Sequence, residues 1–444
     1  MYVCGPTVYD SPHIGHGRFA LAFDILRRYL VFSGLDVHFV SNVTDIDDRI
    51  ITKAAREGRT EAAVAAEFEA LWWEGMDALG VLRPGDVPHA TEYIDDMVAL
   101  VADLEAKGAA YETDDGVYLE VDTVEGYGLL AHQPLGSLRS GARVEAAEGK
   151  RSPLDFALWK KAKPGEPWWS SPWGPGRPGW HTECVAMSLD LLGEGFDIHG
   201  GAQDLIFPHH ENERAQAVAE GRRFARHWVH CGWVSVGGEK MSKSLRNFTT
   251  IADMLAGSDA RAFRLLVLRA HYRSPIEVMP ETIADAEKGL ARLDALARRL
   301  SLPDPLAAPA GGALVRGDAV ASVPGPVDDV AIAEFCEHMD DDLDTPAALG
   351  GVFELVNRAN AAADAGDDER AAVLGRTVAI LCGALGLGLR GAVDDVDAPT
   401  TQLVAERDAA RRARDFARAD ALRDELVAKG WIVEDGPDGT VVRR

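Results

Sequence analysis

The stretch Met1-Tyr-Val-Cys-Gly-Pro-Thr-Val-Tyr-Asp-Ser-Pro-His-Ile-Gly-His-Gly-Arg18 decides the fold. Tyr2 to Cys4 reads as the end of a short buried strand, Gly5 to Pro12 as a turn-rich loop, and Gly17 to Phe32 as a helix closed by Gly34. Strand, loop and helix in that order make the first βα turn of a nucleotide-binding sheet. The helix start then offers free backbone NH groups and the positive end of a dipole to a phosphate, with His13 and His16 as further donors. Taken alone, His-Ile-Gly-His is short, and two surface histidines near a helix start would give the same match.

A second motif, Lys240-Met-Ser-Lys-Ser244, changes the balance. Two lysines three positions apart can approach a triphosphate as point charges, and Val236-Gly-Gly238 ahead of them reads as a hinge-like lead-in to a mobile loop. Only ten of the 46 basic residues are lysine, so a close pair stands out. A helix-start HIGH followed by KMSKS resembles the class I aminoacyl-tRNA synthetases, and Cys4 just upstream of HIGH narrows the resemblance to the cysteinyl-tRNA synthetases. The resemblance covers nearly the whole chain and is strongest from Met1 to Phe248.

It implies an α/β protein: a Rossmann-like parallel-sheet catalytic domain with an insertion, then an all-α helical bundle and a small α+β C-terminal module. The expected division is 1–109 for the first catalytic half, 110–175 for the insertion and 176–250 for the second half with the zinc and KMSKS elements. Residues 251–397 form the stem and bundle, and 398–444 an anticodon-recognising module. The resembled family carries a short stretch before the first strand, so either a misassigned start or a missing edge element is expected.

Composition fits this plan. At 444 residues the chain is too long for one core, and 47% hydrophobic content supplies two to four domains. No apolar run is long enough to span a bilayer and no signal peptide is readable, so a soluble, cytoplasmic protein is expected. Five scattered cysteines (Cys4, Cys184, Cys231, Cys336, Cys382) suit reduced thiols or metal ligands better than a disulfide framework. A net charge of −25 by itself argues against a polyanionic partner. The acid is clustered, however, as in Asp340 to Asp342, and residues 401–444 hold nine basic against nine acidic side chains. Acidity with little lysine resembles salt-adapted surfaces, so a halophilic source and activity in high potassium chloride are expected.

Along the chain, Asp36 to Ser41 alternates like a strand and runs into Asn42-Val-Thr-Asp-Ile-Asp-Asp48, where Thr44 or Asp45 is expected to cap a helix through Arg56. Residues 60–107 read as helical with breaks at Gly80 and Pro84, and Ala110 to Val121 as a hairpin around Asp114-Asp-Gly116. Trp168, Trp169 and Trp173 read as packing for a loop-rich insertion. Gly179-Trp-His-Thr-Glu-Cys184 opens a helix, Phe196 to Asp204 is a strand feeding a Gly turn, and Phe207 to Glu213 starts the next helix with Pro208 in its first turn. His209 and Glu213, four apart, share a helical face, as do His210 and Glu213, three apart.

Two cysteines, a histidine and a glutamate make a sensible zinc set, although spacing alone cannot choose between His209 and His210. The resemblance implies that Cys4, Cys184, His209 and Glu213 bind one zinc ion. Such a zinc could merely hold segments together, but ligands in the cleft favour selection of cysteine over serine, a near-isostere that ordinary hydrogen bonds separate poorly. Trp180 is a candidate wall of that pocket and Thr44 a candidate substrate contact. Cys231, Cys336 and Cys382 read as buried small hydrophobes.

In His199-Gly-Gly-Ala-Gln-Asp204, the glycines suit close backbone approach and the acid a ribose hydroxyl, which makes Gly200, Gly201, Asp204 and, at the HIGH motif, Gly15 candidate nucleotide contacts. The family more often has Gly-Ser at Ala202-Gln203 and Gly at Arg246. The resemblance also implies the chemistry. L-cysteine attacks the α-phosphate of ATP, which is bound with Mg²⁺; His13, His16, Lys240 and Lys243 stabilise the charge; and the cysteinyl group passes to tRNA(Cys).

Residues 251–390 are helical in pattern around a Pro- and Ala-rich linker from Leu302 to Pro326, with Ala262 to Arg273 as the stem. Gln402 to Arg414 and Phe416 to Lys429 read as helices and Trp431 to Val442 as a hairpin. Arg407, Arg411 and Arg414 share one face, either a phosphate-contacting stripe or a solvated face paired to Asp408 and Asp415. The tail resembles an anticodon-recognising module. That separates the chain from a mycothiol-synthesis ligase with a similar catalytic domain, and intact motifs disfavour an inert RNA-binding or cysteine-sensing paralogue. A monomer is expected.

Overall fold

The computed structural model describes residues 1–132, 149–240, 249–306, 314–391, 398–429, 431–436 and 439–443. The chain opens with β1 (Tyr2–Val3), α1 (Ile14–Phe32), β2 (Val40–Ser41), α2 (Asp48–Glu57), α3 (Glu61–Ala78) and α4 (Ile94–Ala106). Next come β3 (Ala110–Glu112), β4 (Gly116–Leu119), β5 (Phe156–Lys161), β6 (Gly176–Pro178), α5 (Trp180–Leu192), β7 (Ile198–Ala202), α6 (Glu211–Glu220) and β8 (His227–Cys231). β2, β1, β7 and β8 lie side by side in that order, all parallel. The chain therefore leaves β1 toward one edge and β7 toward the other. The gap between them is the switch point where open α/β sheets bind ligands.

α1 starts at Ile14, three residues earlier than expected. His13 is its N-cap: His13 Nδ1 accepts from the His16 NH and the His13 NH donates to His16 Nδ1, both at 3.2 Å. A reciprocal cap made by two imidazoles falls outside the usual Ser, Thr, Asp and Asn signals. Of Asp36 to Ser41 only Val40 and Ser41 pair, because the preceding residues lie largely exposed at the sheet edge. α2 is capped by Asp47, whose Oδ1 accepts from the Arg49 NH at 2.8 Å. Thr44 and Asp45 are committed elsewhere, Thr44 to Glu183 and Asp45 to Thr91.

Gly200 and Gly201 lie inside β7 and not in a turn. A Cβ on Gly200 would stand 2.3 Å from the Phe23 ring, and one on Gly201 2.5 Å from the His210 ring. Their absent side chains let α1 and the His210 imidazole press against the strand. Pro208 also departs from expectation: it follows a cis peptide in an irregular turn, Ile206–His210, and α6 begins at Glu211.

β3 to β6 form a separate antiparallel sheet in sequence order, with β5 as a strand that the Gly-, Pro- and Trp-rich composition conceals. Trp159 is wholly buried in it and Trp173 nearly so, whereas Trp168 is exposed and packs little. β9 (Val234–Val236) and β10 (Glu239–Lys240) make a hairpin whose turn is Gly237 and Gly238, at φ of 64° and 78°. The glycine pair is thus a tight turn, the conformation two successive positive φ values favour, where a hinge was expected.

β11 (Ile276–Glu277) pairs with β9 beyond α7 (Ile251–Leu255) and α8 (Ala260–Leu268). The bundle follows as α9 (Pro280–Leu300), α10 (Arg316–Ser322), α11 (Asp329–Asp340), α12 (Thr345–Asp364) and α13 (Asp368–Ala384). α10 falls inside the expected linker. Leu21, Ile25, Tyr29 and Phe32 of α1 share one apolar core with the bundle, so catalytic and helical parts are continuous.

α14 (Ala398–Arg412), α15 (Phe416–Ala428), β12 (Ile432–Gly436) and β13 (Gly439–Arg443) complete the chain around Leu426, Trp431, Val433 and Val442. Arg407 is 3% exposed and donates to Thr440 Oγ1 at 2.5 Å, which removes it from the expected phosphate-contacting stripe. Asp408, offered as its surface partner, accepts instead from the Thr440 NH at 2.8 Å. Among the described residues no helix is long and apolar enough to cross a membrane.

Candidate active site

The carboxyl ends of β1, β7 and β8 and the start of α1 enclose a cleft of about 460 Å³. Cys4, Gly15, His16, Trp180, Asp204 and Trp233 are among its walls. Its two ends differ in character.

At the floor, Cys4 follows β1, Cys184 sits in the second turn of α5, His209 in the irregular turn and Glu213 in the first turn of α6. All four are at most 4% exposed, and one donor atom from each lies within 4.8 Å of the others. Cys4 Sγ is 3.6 Å from Cys184 Sγ and 3.5 Å from Glu213 Oε1; His209 Nε2 is 3.7 Å from Cys184 Sγ and 3.0 Å from Glu213 Oε1. Zinc bonds of about 2.3 Å to sulfur and about 2.0 Å to nitrogen or oxygen set tetrahedral donors roughly 3.3–3.8 Å apart. Of these four of the six tetrahedral edges, three fall in that range and the fourth is slightly short, so the donor set fits a thiolate-binding divalent ion.

Cys4, His199, His210 and Glu213 also converge within 4.8 Å. There, however, His199 Nε2 stands 2.5 Å from Glu213 Oε2, the separation of a hydrogen bond. His199 therefore orients Glu213 from behind, leaving Oε1 toward Cys4 and His209. His210 Nε2 in turn lies 3.4 Å from Cys4 Sγ, so both histidines stand beside the thiol; of the two groups, the one with His209 includes both Cys4 and Cys184.

Protonation follows from burial. Desolvation raises the Cys4 and Cys184 thiols and lowers His209 to about 3, so the imidazole is neutral and able to coordinate. Burial alone would raise Glu213, but His199 and His209 hold it below its ordinary value. Trp180 stacks on His209 with ring centroids 4.1 Å apart and lines the cleft, as expected of a pocket wall. His181 contacts His209 Nδ1 at 2.9 Å, and His230 contacts His210 Nδ1 at the same distance. Sequence reading missed His181, His199 and His230; the signal available was that His199 lies in a strand feeding the glycines and His230 one residue before Cys231.

Thr44 lies apart from the cleft lining. It is 2% exposed, donates from Oγ1 to Glu183 Oε2 at 2.7 Å and accepts from Asn42 Nδ2 at 3.3 Å. Burial holds the Glu183 carboxyl well above its ordinary value. Of the remaining cysteines, Cys231 and Cys382 are buried as expected, but Cys336 is only partly so.

At the other end, His13 and His16 line the cleft with rings stacked 3.6 Å apart, and Gly15 lies between them. The helix start is less open than expected. The His16 NH is bonded to His13, the Ile14 NH to the Thr249 carbonyl and the Gly17 NH to the His13 carbonyl. Asp204 is exposed on the turn after β7 and faces the cleft, while Gly200 and Gly201 stand behind it in the strand. Lys240 ends β10; Lys243 and Arg246 lie outside the described residues.

The parallel sheet, its switch-point cleft and the stacked histidines at a helix start are those of a class I aminoacyl-tRNA synthetase. Residues 1–288 match the family described as tRNA synthetases class I (C) catalytic domain, 334–390 a DALR domain, and 393–443 a cysteinyl-tRNA ligase anticodon binding domain. The cysteine–tRNA ligase of Alkalilimnicola ehrlichii is 47% identical, with 100% of this chain and 95% of that protein covered. That of Thioalkalivibrio sulfidiphilus is 46% identical over 100% and 95%. The fold is similar to a Mycobacterium tuberculosis methionyl-tRNA synthetase in complex with methionyl-adenylate, at a TM-score of 0.60 and 17% identity over 86% of this chain and 89% of that one. The chain belongs to the cysteine–tRNA ligase family.

Proposed function

We propose that this ligase activates L-cysteine with ATP in the cleft, passes it to the 3′ end of tRNA(Cys), and recognises the amino acid through a zinc ion held by Cys4, Cys184, His209 and Glu213. The observation that carries the reading is the set of four buried donors at one end of a cleft whose other end bears His13, Gly15 and His16. When bound, such an ion supplies a strong bond to the substrate thiolate that a serine hydroxyl cannot match.

The protein's own groups do the rest. Trp180, stacked on His209, closes one side of the amino-acid pocket and excludes water. Asp204 accepts from a ribose hydroxyl. His13 and His16, fixed face to face by their mutual cap, donate to the α-phosphate as the cysteine carboxylate attacks and pyrophosphate departs. Lys240 and Lys243 hold the leaving phosphates together with Mg²⁺. Thr44 acts from behind the pocket through Glu183 and Asn42. Residues 398–444 read the anticodon, and the enzyme works as a cytoplasmic monomer.

The test is cysteine attachment to tRNA with serine as competitor, alongside elemental analysis and size measurement by light scattering. One zinc per chain and charging with cysteine alone are expected. Charging by a zinc-free protein with unchanged selectivity would overturn the metal's role; cysteine-dependent pyrophosphate exchange without tRNA charging would overturn the second step.

A further inference from the structure

Between α11 and α12 the chain turns through two consecutive left-handed residues, Asp342 at φ 53° and Leu343 at φ 57°. Neither is glycine. Side chains rarely adopt this region, and such strain persists where the surroundings impose it. Here three successive side chains of the stem converge on Asp342. Its carboxylate accepts from Tyr272 Oη at 2.8 Å and from Arg273 twice, Nε to Oδ2 at 2.7 Å and Nη2 to Oδ1 at 2.8 Å. His271 Nε2 donates to the Asp342 carbonyl at 2.9 Å.

The other side of the same segment is bonded to the cleft. The Tyr272 carbonyl accepts from the Gly232 NH at 2.8 Å and from Arg18 Nη2 at 3.0 Å. The His271 carbonyl lies 3.4 Å from the same Arg18 nitrogen, and the Ile276 NH donates to the Trp233 carbonyl at 3.0 Å. Arg18 is 1% exposed and stands two residues beyond His16; its buried Nε and Nη1 have no hydrogen-bond partner among the described residues. The guanidinium thus hangs α1 from two main-chain carbonyls of the stem. Gly232 joins β8 to the hairpin that ends at Lys240, and a Cβ there would lie 2.4 Å from the Ser274 carbonyl oxygen. The helix that carries His13 and His16 and the strand that leads to Lys240 are therefore both bonded to this one stretch of main chain.

We propose that Asp342 is a positioning residue for adenylate formation. By clamping His271 to Arg273 it fixes the main chain from which both the His13–His16 helix start and the strand leading to Lys240 are held, without touching substrate. This rests on reading the cleft as the adenylate-forming site. The leverage is large because a displacement of about 1 Å at reacting groups can cost about 100-fold in rate. The metal-binding floor is held by other elements, so recognition of cysteine stays intact when the clamp is opened.

The experiment compares Asp342→Ala, Asp342→Gly, Asp342→Asn and Arg273→Ala in the full chain by cysteine-dependent ATP–pyrophosphate exchange, with thermal unfolding recorded for each. Asp342→Ala and Asp342→Gly are expected to lower kcat by about tenfold or more while KM for cysteine stays within about twofold. Glycine accepts the left-handed backbone without strain, so Asp342→Gly unfolds at a higher temperature than Asp342→Ala yet is no faster. Asp342→Asn, which tolerates the same backbone and still accepts from Tyr272, recovers part of the loss. A wild-type kcat in Asp342→Gly overturns the proposal, because backbone strain alone then explains the turn. If Asp342→Ala does not fold, Arg273→Ala decides: reduced kcat at unchanged KM supports the clamp, and wild-type kcat removes it. A wild-type enzyme without cysteine-dependent exchange would refute the cleft's assignment itself.

Discussion

Two clusters of buried ionisable side chains tie distant parts of this chain together, and they are completed in opposite ways. Around Asp24 the carboxylate accepts from Arg28 Nε at 2.8 Å, Arg264 Nη1 at 2.5 Å and the Leu82 NH at 2.9 Å. Arg264 Nη2 and Arg28 Nη2 go on to the Gly80 carbonyl. Burial alone would raise Asp24, yet Arg264 and Arg28 hold its carboxyl below the usual range. That cluster is held by its own ion pairs, with Arg28 Nη1 the one buried nitrogen of the three residues that has no partner among the described residues. Around Cys4 the groups are two thiols raised by burial, an imidazole lowered by burial and one carboxylate held below its ordinary value. The first cluster is a latch between α1 and the bundle. The second is a set of sulfur, nitrogen and oxygen donors of the kind that a divalent ion takes.

The largest expected effect breaks the latch. Asp24→Ala leaves two buried guanidinium groups without their anion and should cost about 3–5 kcal/mol of unfolding free energy in urea. Metal content per folded chain should not change. A loss under about 1 kcal/mol would mean that solvent reaches Arg28 and Arg264.

Cys184→Ser should invert that pattern, lowering cysteine-dependent exchange by at least about 100-fold, the upper end for disturbing a metal's surroundings. Its urea midpoint should move less than that of Asp24→Ala. An active Cys184→Ser protein would leave His209 and Glu213 as mere packing.

Acid separates the clusters without mutation. Asp24 has a folded pKa below its unfolded value of about 3.9, so its stabilisation is present at neutral pH and disappears only as pH falls through the folded value. Thiols raised by burial bind protons readily and compete with the ion much earlier. In a downward titration, metal release to a chromogenic indicator should precede loss of helical circular dichroism. Simultaneous loss would join the two clusters into one cooperative unit.

The smallest effect sharpens the contrast. Glu183 lies beside Cys184, burial raises its carboxyl well above its ordinary value, and its Oε2 accepts from Thr44. Glu183→Gln preserves that acceptor and should change stability by no more than about 0.5 kcal/mol. A cost approaching that of Asp24→Ala would show a buried anion instead.

The two clusters were not equally legible. Cys4, Cys184, His209 and Glu213 make a sensible donor set at strand ends and helix starts, but spacing alone could not select them, and the family resemblance supplied all four. Asp24, Arg28 and Arg264 gave no signal, since charged residues on helices are normally solvated and only the packing of α1 against the bundle buries them. Local rules failed where tertiary partners took over. Asp47 caps α2 because Thr44 and Asp45 serve other bonds, the β7 glycines are fitted to Phe23 and His210, and Arg407 turns inward to Thr440. α1 started early because histidines replaced the usual capping residues.

Cys4 and Cys184 are 180 residues apart, and Glu213 follows later still. A ribosome must therefore translate the entire antiparallel insertion before any nascent chain can bring the four donors together. During synthesis the first cysteine waits while nearly half of the protein emerges, so assembly of the donor set marks the moment when both halves of the sheet have found each other. The four donors thus come together only in molecules in which β7 has slotted in beside β1.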